Sequence, residues 1–137
     1  MANTLTPKAR SLLTKIGSLA RTDTTAKALF GLPKGAIIAG IYVIGAAASD
    51  AGTSAVIEIG STTTANEYMA SYDVKTAATG EGYNPAGGAA VGSAMATALT
   101  ADVTVYGKYT EAGIASTAGG DWYVKVEYYM PGPGETL

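Results

Sequence analysis

Residues 32–45 read Leu-Pro-Lys-Gly-Ala-Ile-Ile-Ala-Gly-Ile-Tyr-Val-Ile-Gly, and this stretch decides the fold class. Pro33 and Gly35 make a turn, and an apolar run follows. In an extended chain Ile37, Ala39, Ile41 and Val43 share one side, while Ile38, Gly40, Tyr42 and Ile44 share the other. Both sides are apolar, which predicts a strand covered on both faces and central in its sheet. A helix is disfavoured by the glycines and the β-branched residues inside the run.

Working outward, the other segments read as partners for this strand. Residues 27–32 lead into it. Beyond a turn at 49–52, residues 54–60 alternate, with Ala55, Ile57 and Ile59 opposing Val56 and Glu58. Residues 67–74 and 102–109 predict two further strands, and residues 113–118 a short edge strand before Gly119-Gly120. The segment 121–130 alternates most regularly. Trp122, Val124, Val126, Tyr128 and Met130 point one way; Tyr123, Lys125, Glu127 and Tyr129 point the other. Pro131 then ends the sheet, because proline cannot donate to a ladder. Seven or eight short strands separated by turns predict an all-β antiparallel sandwich, a jelly roll ahead of a barrel. One domain of 137 residues is expected: an N-terminal arm over 1–21, then a sandwich over 22–137 with a long Gly/Ala-rich loop at 75–99.

The arm has two competing readings. Thr6-Pro7 has the form of a helix start, and Ala9, Leu12, Leu13 and Ile16 follow at helical spacing, with Gly17 as a stop. Such a short helix is unstable alone, so the segment is either a docked helix or an extended arm, and 15–21 also reads as a strand. Charge sets the arm apart. Residues 1–34 hold Lys8, Arg10, Lys15, Arg21, Lys27 and Lys34 against Asp23 alone, whereas the remainder is strongly acidic. A basic front on an acidic body points to an acidic partner surface, such as a neighbouring copy; the alternative is a solvated tail.

The chain has no histidine and no cysteine. Histidine triads, imidazole relays, His–metal sites, disulfides and thiolate chemistry are therefore outside its means. Gly87–Ser93 has the glycine spacing of a phosphate loop without its lysine, strand or helix. Glu58 and Glu127 would act as a glycosidase pair only if the fold brought them together. No enzyme activity, cofactor or metal is expected. Outward Tyr123 and Tyr129, joined by Tyr106, could form an aromatic platform for sugar or protein, or could pack beneath loops. An acidic body without interleaved basic residues argues against direct nucleic-acid binding. The longest apolar run is too short for a membrane-spanning helix, and no signal-peptide pattern opens the chain, so a cytoplasmically made, soluble product is expected.

Four phrases resemble those of tailed-bacteriophage structural proteins: residues 20–27 (Ala-Arg-Thr-Asp-Thr-Thr-Ala-Lys), 32–36 (Leu-Pro-Lys-Gly-Ala), 51–55 (Ala-Gly-Thr-Ser-Ala) and 73–76 (Asp-Val-Lys-Thr). The resemblance spans roughly 15–130 and carries no catalytic signature. It implies a small β-sandwich virion protein, in first place a head decoration (cement) protein. Such proteins clamp capsid subunits as dimers or trimers, so the major capsid protein and copies of itself would be its partners. The expected contact residues are Lys8, Arg10, Leu12, Leu13, Lys15, Arg21, Tyr123 and Tyr129. A tail-associated or carbohydrate-binding sandwich is the alternative.

Overall fold

The computed structural model describes residues 12–76 and 98–131. Seven strands lie within them: β1 (Leu13–Leu19), β2 (Lys27–Leu32), β3 (Ile37–Gly45), β4 (Ser54–Gly60), β5 (Met69–Asp73), β6 (Val103–Ala112) and β7 (Trp122–Tyr129). They form two antiparallel sheets, β1-β7-β3 and β2-β6-β4-β5. The expected all-β sandwich is what the chain forms, and no helix occurs among the described residues.

The two-faced apolar run of β3 has a different cause from the one its sequence implies. Among the described residues β3 is an edge strand of the three-stranded sheet, and the centre belongs to β7. Its register against β7 slips between Ile38 and Gly40, leaving Ala39 as an extra, exposed residue. A bulge of one residue reverses the side-chain parity. Ile38 therefore faces the core before the bulge, and Ile41 and Val43 face it afterwards. Apolar residues at both parities keep one face inward. On the outer face, Gly40 lies beneath Tyr42, where an added Cβ would stand 2.8 Å from the ring. The Lys125 ammonium sits 4.8 Å from the centre of the same ring.

β7 follows its sequence pattern closely. Trp122, Val124, Val126 and Tyr128 are buried; Met130, at the same parity but past the strand, is exposed. Opposite them, Ala55, Ile57 and Ile59 of β4 and Val105 and Tyr109 of β6 complete the core. Tyr109 stacks on Trp122 across the sandwich, with ring centres 5.3 Å apart. Gly45 lies against the Trp122 indole, and a Cβ there would come within 2.4 Å of it.

Two further expectations change. Residues 113–118 are a loop rather than an edge strand. Gly113 turns out of β6 at φ +84°, and the Asp50 carboxylate binds the segment in place of a ladder. It accepts from the N–H groups of Thr117 and Ala118, both at 2.8 Å, and from the Thr117 hydroxyl at 2.7 Å. β5 begins at Met69, not at 67, because Glu67 is used as a turn clasp. Its carboxylate accepts from the N–H of Ser61 at 3.0 Å and from the hydroxyls of Thr62 and Thr64.

Candidate interaction surface

The helical reading of the N-terminal segment fails over Leu13–Leu19, which are extended and hydrogen-bonded to β7 along their whole length. The heptad-like spacing of Leu12, Leu13 and Ile16 is outweighed by seven backbone partners offered by β7. Position 17 adds a steric reason for the close approach of β1 to β2. Gly17 packs on β2 so tightly that a Cβ would lie 2.8 Å from that of Leu29. The turn after β1, at Ala20–Asp23, is closed by the Asp23 N–H, which donates to the Ala20 carbonyl at 2.9 Å. Asp23 accepts from the Ala20 N–H at 2.8 Å and pairs with Lys27 at 3.1 Å.

Among the described residues β1 is an outer strand of its sheet and β2 an outer strand of the other. Along this side the apolar side chains are left in solvent: Leu12 is 50 %, Leu13 41 % and Ile16 59 % exposed, and Tyr123 on neighbouring β7 is 48 % exposed. Ile16 stands opposite Lys125, and Ser18 opposite Tyr123, so Ile16 and Tyr123 are diagonal neighbours on the outer face. A groove of about 330 Å³ runs between Ile16, Gly17, Tyr123 and the β2 residues Lys27 and Leu29. A second, of about 460 Å³, lies between Lys15, Leu32, Pro33, Asp102 and Tyr128. A long edge strand carrying exposed apolar residues is a template for pairing, and a lysine such as Lys15 is the usual means of restraining it.

The residues expected to make contacts thus divide. Leu12, Leu13, Lys15 and Tyr123 are all exposed, but Leu13 and Lys15 stand opposite core-facing Tyr128 and Val126, whereas Tyr123 lies with Ile16 on the outer face. Arg21 is engaged within the fold: its guanidinium donates to the Ser116 carbonyl at 2.9 Å. Tyr129 is half-buried on the outer face of β7, six residues from Tyr123 and so about 20 Å away along the strand. Tyr106 belongs to β6 and points outward from the opposite sheet, since Val105 and Gly107 on either side are buried. The three rings therefore make no common platform. Lys8 and Arg10 lie outside the described residues, as do the phosphate-loop look-alike at 87–93 and nearly all of the 75–99 loop.

The carboxylates serve structure. Glu58 pairs with Lys108 at 3.1 Å and Glu127 with Lys125 at 2.9 Å, on the outer faces of opposite sheets. They cannot flank one glycosidic bond. Ser49 Oγ and the Tyr109 hydroxyl lie 2.7 Å apart, and Tyr109 donates to Glu111 at 2.7 Å. Hydrogen bonds from Ser116 and Tyr109 hold the Glu111 carboxyl below its usual range, with Arg21 assisting. The N–H of Ala118 and the hydroxyl of Thr117 hold Asp50 at about 2. Burial alone would raise Glu67, yet its bonds from Thr62 and Thr64 outweigh that and leave it at about 2. Sequence reading missed this polar clasp, although Asp50 in a turn before Gly52 is a signal for it.

No protein-family model matches the sequence, and no curated protein matches it. Two solved structures share its fold. One is a chain of the acidic stable capsid structure of Helicobacter pylori bacteriophage KHP30, at 14 % identity and a TM-score of 0.61, over 90 % of this chain and 92 % of that one. The other is a chain of the cyanophage Pam1 capsid asymmetric unit, at 18 % identity and a TM-score of 0.58, over 95 % of this chain and 94 % of that one. At such identities the likeness is one of fold.

Proposed function

We propose that this chain is a structural subunit of a bacteriophage virion, and specifically a head decoration (cement) protein that binds the major capsid protein and copies of itself. The observation that carries this reading is the near end-to-end likeness of fold to chains of two phage capsids. The exposed β1 side supports it: Leu12, Leu13, Ile16 and Tyr123 present apolar area that the described fold does not bury. A virion subunit needs such area and needs no reactive group, in keeping with a chain that has neither histidine nor cysteine. The strand order favours the jelly-roll form of the sandwich. β1 pairs with β7, β2 with β6 and β4 with β5, the nested pattern of one long hairpin rolled into two sheets. A sugar-binding module is less well served, because Tyr123 and Tyr129 stand too far apart to stack on one ring.

Co-sedimentation with undecorated phage heads tests the reading. The intact protein should pellet with the particles, and less of it as salt rises, since Lys8, Arg10 and Lys15 lie in or next to the contact. Removal of residues 2–11, which leaves β1 whole, should weaken pelleting while the thermal transition is retained. Equal pelleting of both forms would make the arm a solvated tail. Failure of the intact protein to pellet under any salt condition would overturn the decoration role.

A further inference from the structure

We infer that copies of this chain associate head to tail, the basic, apolar β1/β2 side of one copy docking on the acidic β5 side of the next. This rests on the reading of the chain as an assembling virion subunit and adds the geometry of its self-contact. β2 and β5 are the two outer strands of the four-stranded sheet, three strand spacings or about 14 Å apart, and β1 lies against β2 through the Gly17–Leu29 contact. The two sides differ in charge. The β1/β2 side carries exposed Lys15 and Lys34, with Asp102 between them accepting from the Lys34 N–H at 2.8 Å. Lys27 there is paired with Asp23.

The β5 side carries Glu67 before the strand and Asp73 at its end. Asp50 is close by, because the Ser49 N–H donates to the Val74 carbonyl at 2.8 Å. Lys75 is the opposing cation, and its ammonium is turned onto the Ala51 carbonyl. Hydrogen bonds from the Thr76 hydroxyl and from the N–H groups of Thr76 and Lys75, the latter two at 3.0 and 2.8 Å, hold the Asp73 carboxyl below its usual range. Unlike surfaces on opposite edges cannot meet in a two-fold contact made through a single edge, which sets that edge against its own copy. They can in a heterologous contact, which closes into a ring when the rotation permits. Like charges would oppose a β1-to-β1 pairing, whereas a β1-to-β5 contact brings Lys15 and Lys34 towards Asp73 and Glu67.

Sedimentation velocity of the full chain at low salt, over a concentration series, tests this with charge reversals. Lys15→Glu with Lys34→Glu should weaken self-association about tenfold, and Asp73→Lys by a similar factor. Asp73→Asn keeps an acceptor for the two N–H groups while removing the charge and the acceptor of the Thr76 hydroxyl, so it should weaken association by about half as much on a logarithmic scale. The combined variant, with both sides reversed, should recover most of the loss, which a folding defect cannot do. If Asp73→Lys has no effect while the lysine reversals abolish association, the contact is two-fold through β1 and the inference fails. It fails equally if the natural chain is monomeric at all concentrations. A monomer that still pellets with phage heads would overturn this inference alone; a head-to-tail oligomer that ignores the heads would uphold it and overturn the decoration role.

Discussion

β1 and β7 are hydrogen-bonded neighbours in one sheet, yet they answer to different demands. β7 places Trp122, Val124, Val126 and Tyr128 in the core and its polar residues outside. β1 matches it residue for residue in register but buries only Leu19 fully, leaving Leu13 and Ile16 in solvent. A strand that joins a sheet without burying its apolar side chains gains little of the hydrophobic stabilisation available to its neighbour, roughly 1.5–3 kcal/mol for each large side chain. The comparison separates the parts of the chain that hold the fold from the part the fold leaves available for contact.

The sharpest way to break the comparison is a charge in β7. Val124 is fully buried between Gly17 on β1 and Val43 on β3, and no basic side chain faces it from those positions. Val124→Asp should destabilise by about 3–5 kcal/mol or more, enough to unfold a domain of ordinary stability. Loss of the thermal transition, or its fall by tens of degrees, checks this. A soluble variant with an unchanged midpoint would place Val124 on the outside and invalidate the β7 register.

A middle-sized effect is expected from acid. Asp50 and Glu67 both titrate at about 2, against 3.8 and 4.5 in an unfolded chain, and Asp73 and Glu111 are shifted the same way. Groups with depressed folded values stabilise the fold fully above their unfolded values. That contribution disappears as pH falls through the folded ones. Urea midpoints should therefore be level from pH 7 to about 5 and drop between about pH 4 and 2. Asp50→Asn should lower the neutral-pH midpoint and flatten the acid limb, by releasing the 117–118 loop. An acid limb unchanged in that variant would mean that the Asp50 clasp contributes nothing.

The same contrast explains what could be read from the sequence. β2 and β4 match their expected limits and β7 comes within a residue at each end, because strict alternation against a single core leaves one solution. One bulge at Ala39 makes β3, an edge strand among the described residues, look apolar on both sides and hence central. Of the helical and extended readings of the N-terminal segment, the extended one holds over Leu13–Leu19, and the helical spacing of Leu12, Leu13 and Ile16 misleads because residues that the fold does not bury carry no core periodicity. Of the residues expected to make contacts, the exposure of the leucines and Lys15 was legible from the excess of apolar and basic groups. The inward use of Arg21 was not, since its partner Ser116 is 95 positions away.

The smallest expected effect is also the most informative about β1. Ile16→Ser removes an apolar side chain that is 59 % exposed in the single chain. For a monomer, its effect on stability should stay within about 0.5 kcal/mol, as for other surface substitutions. At concentrations where copies associate, or on the phage head, the same side chain would be covered, and its loss would then register. The midpoint of Ile16→Ser should thus equal that of the natural chain at high dilution and fall below it as concentration rises, because only an assembled state draws stability from that contact. Retention on phage heads should drop in parallel. A loss of about 1.5 kcal/mol or more at every concentration would show instead that Ile16 is buried within its own chain. The contrast between β1 and β7 would then disappear. A midpoint equal at every concentration, with full retention on heads, would take Ile16 out of the contact surface and leave Leu12, Leu13 and Tyr123 to carry it.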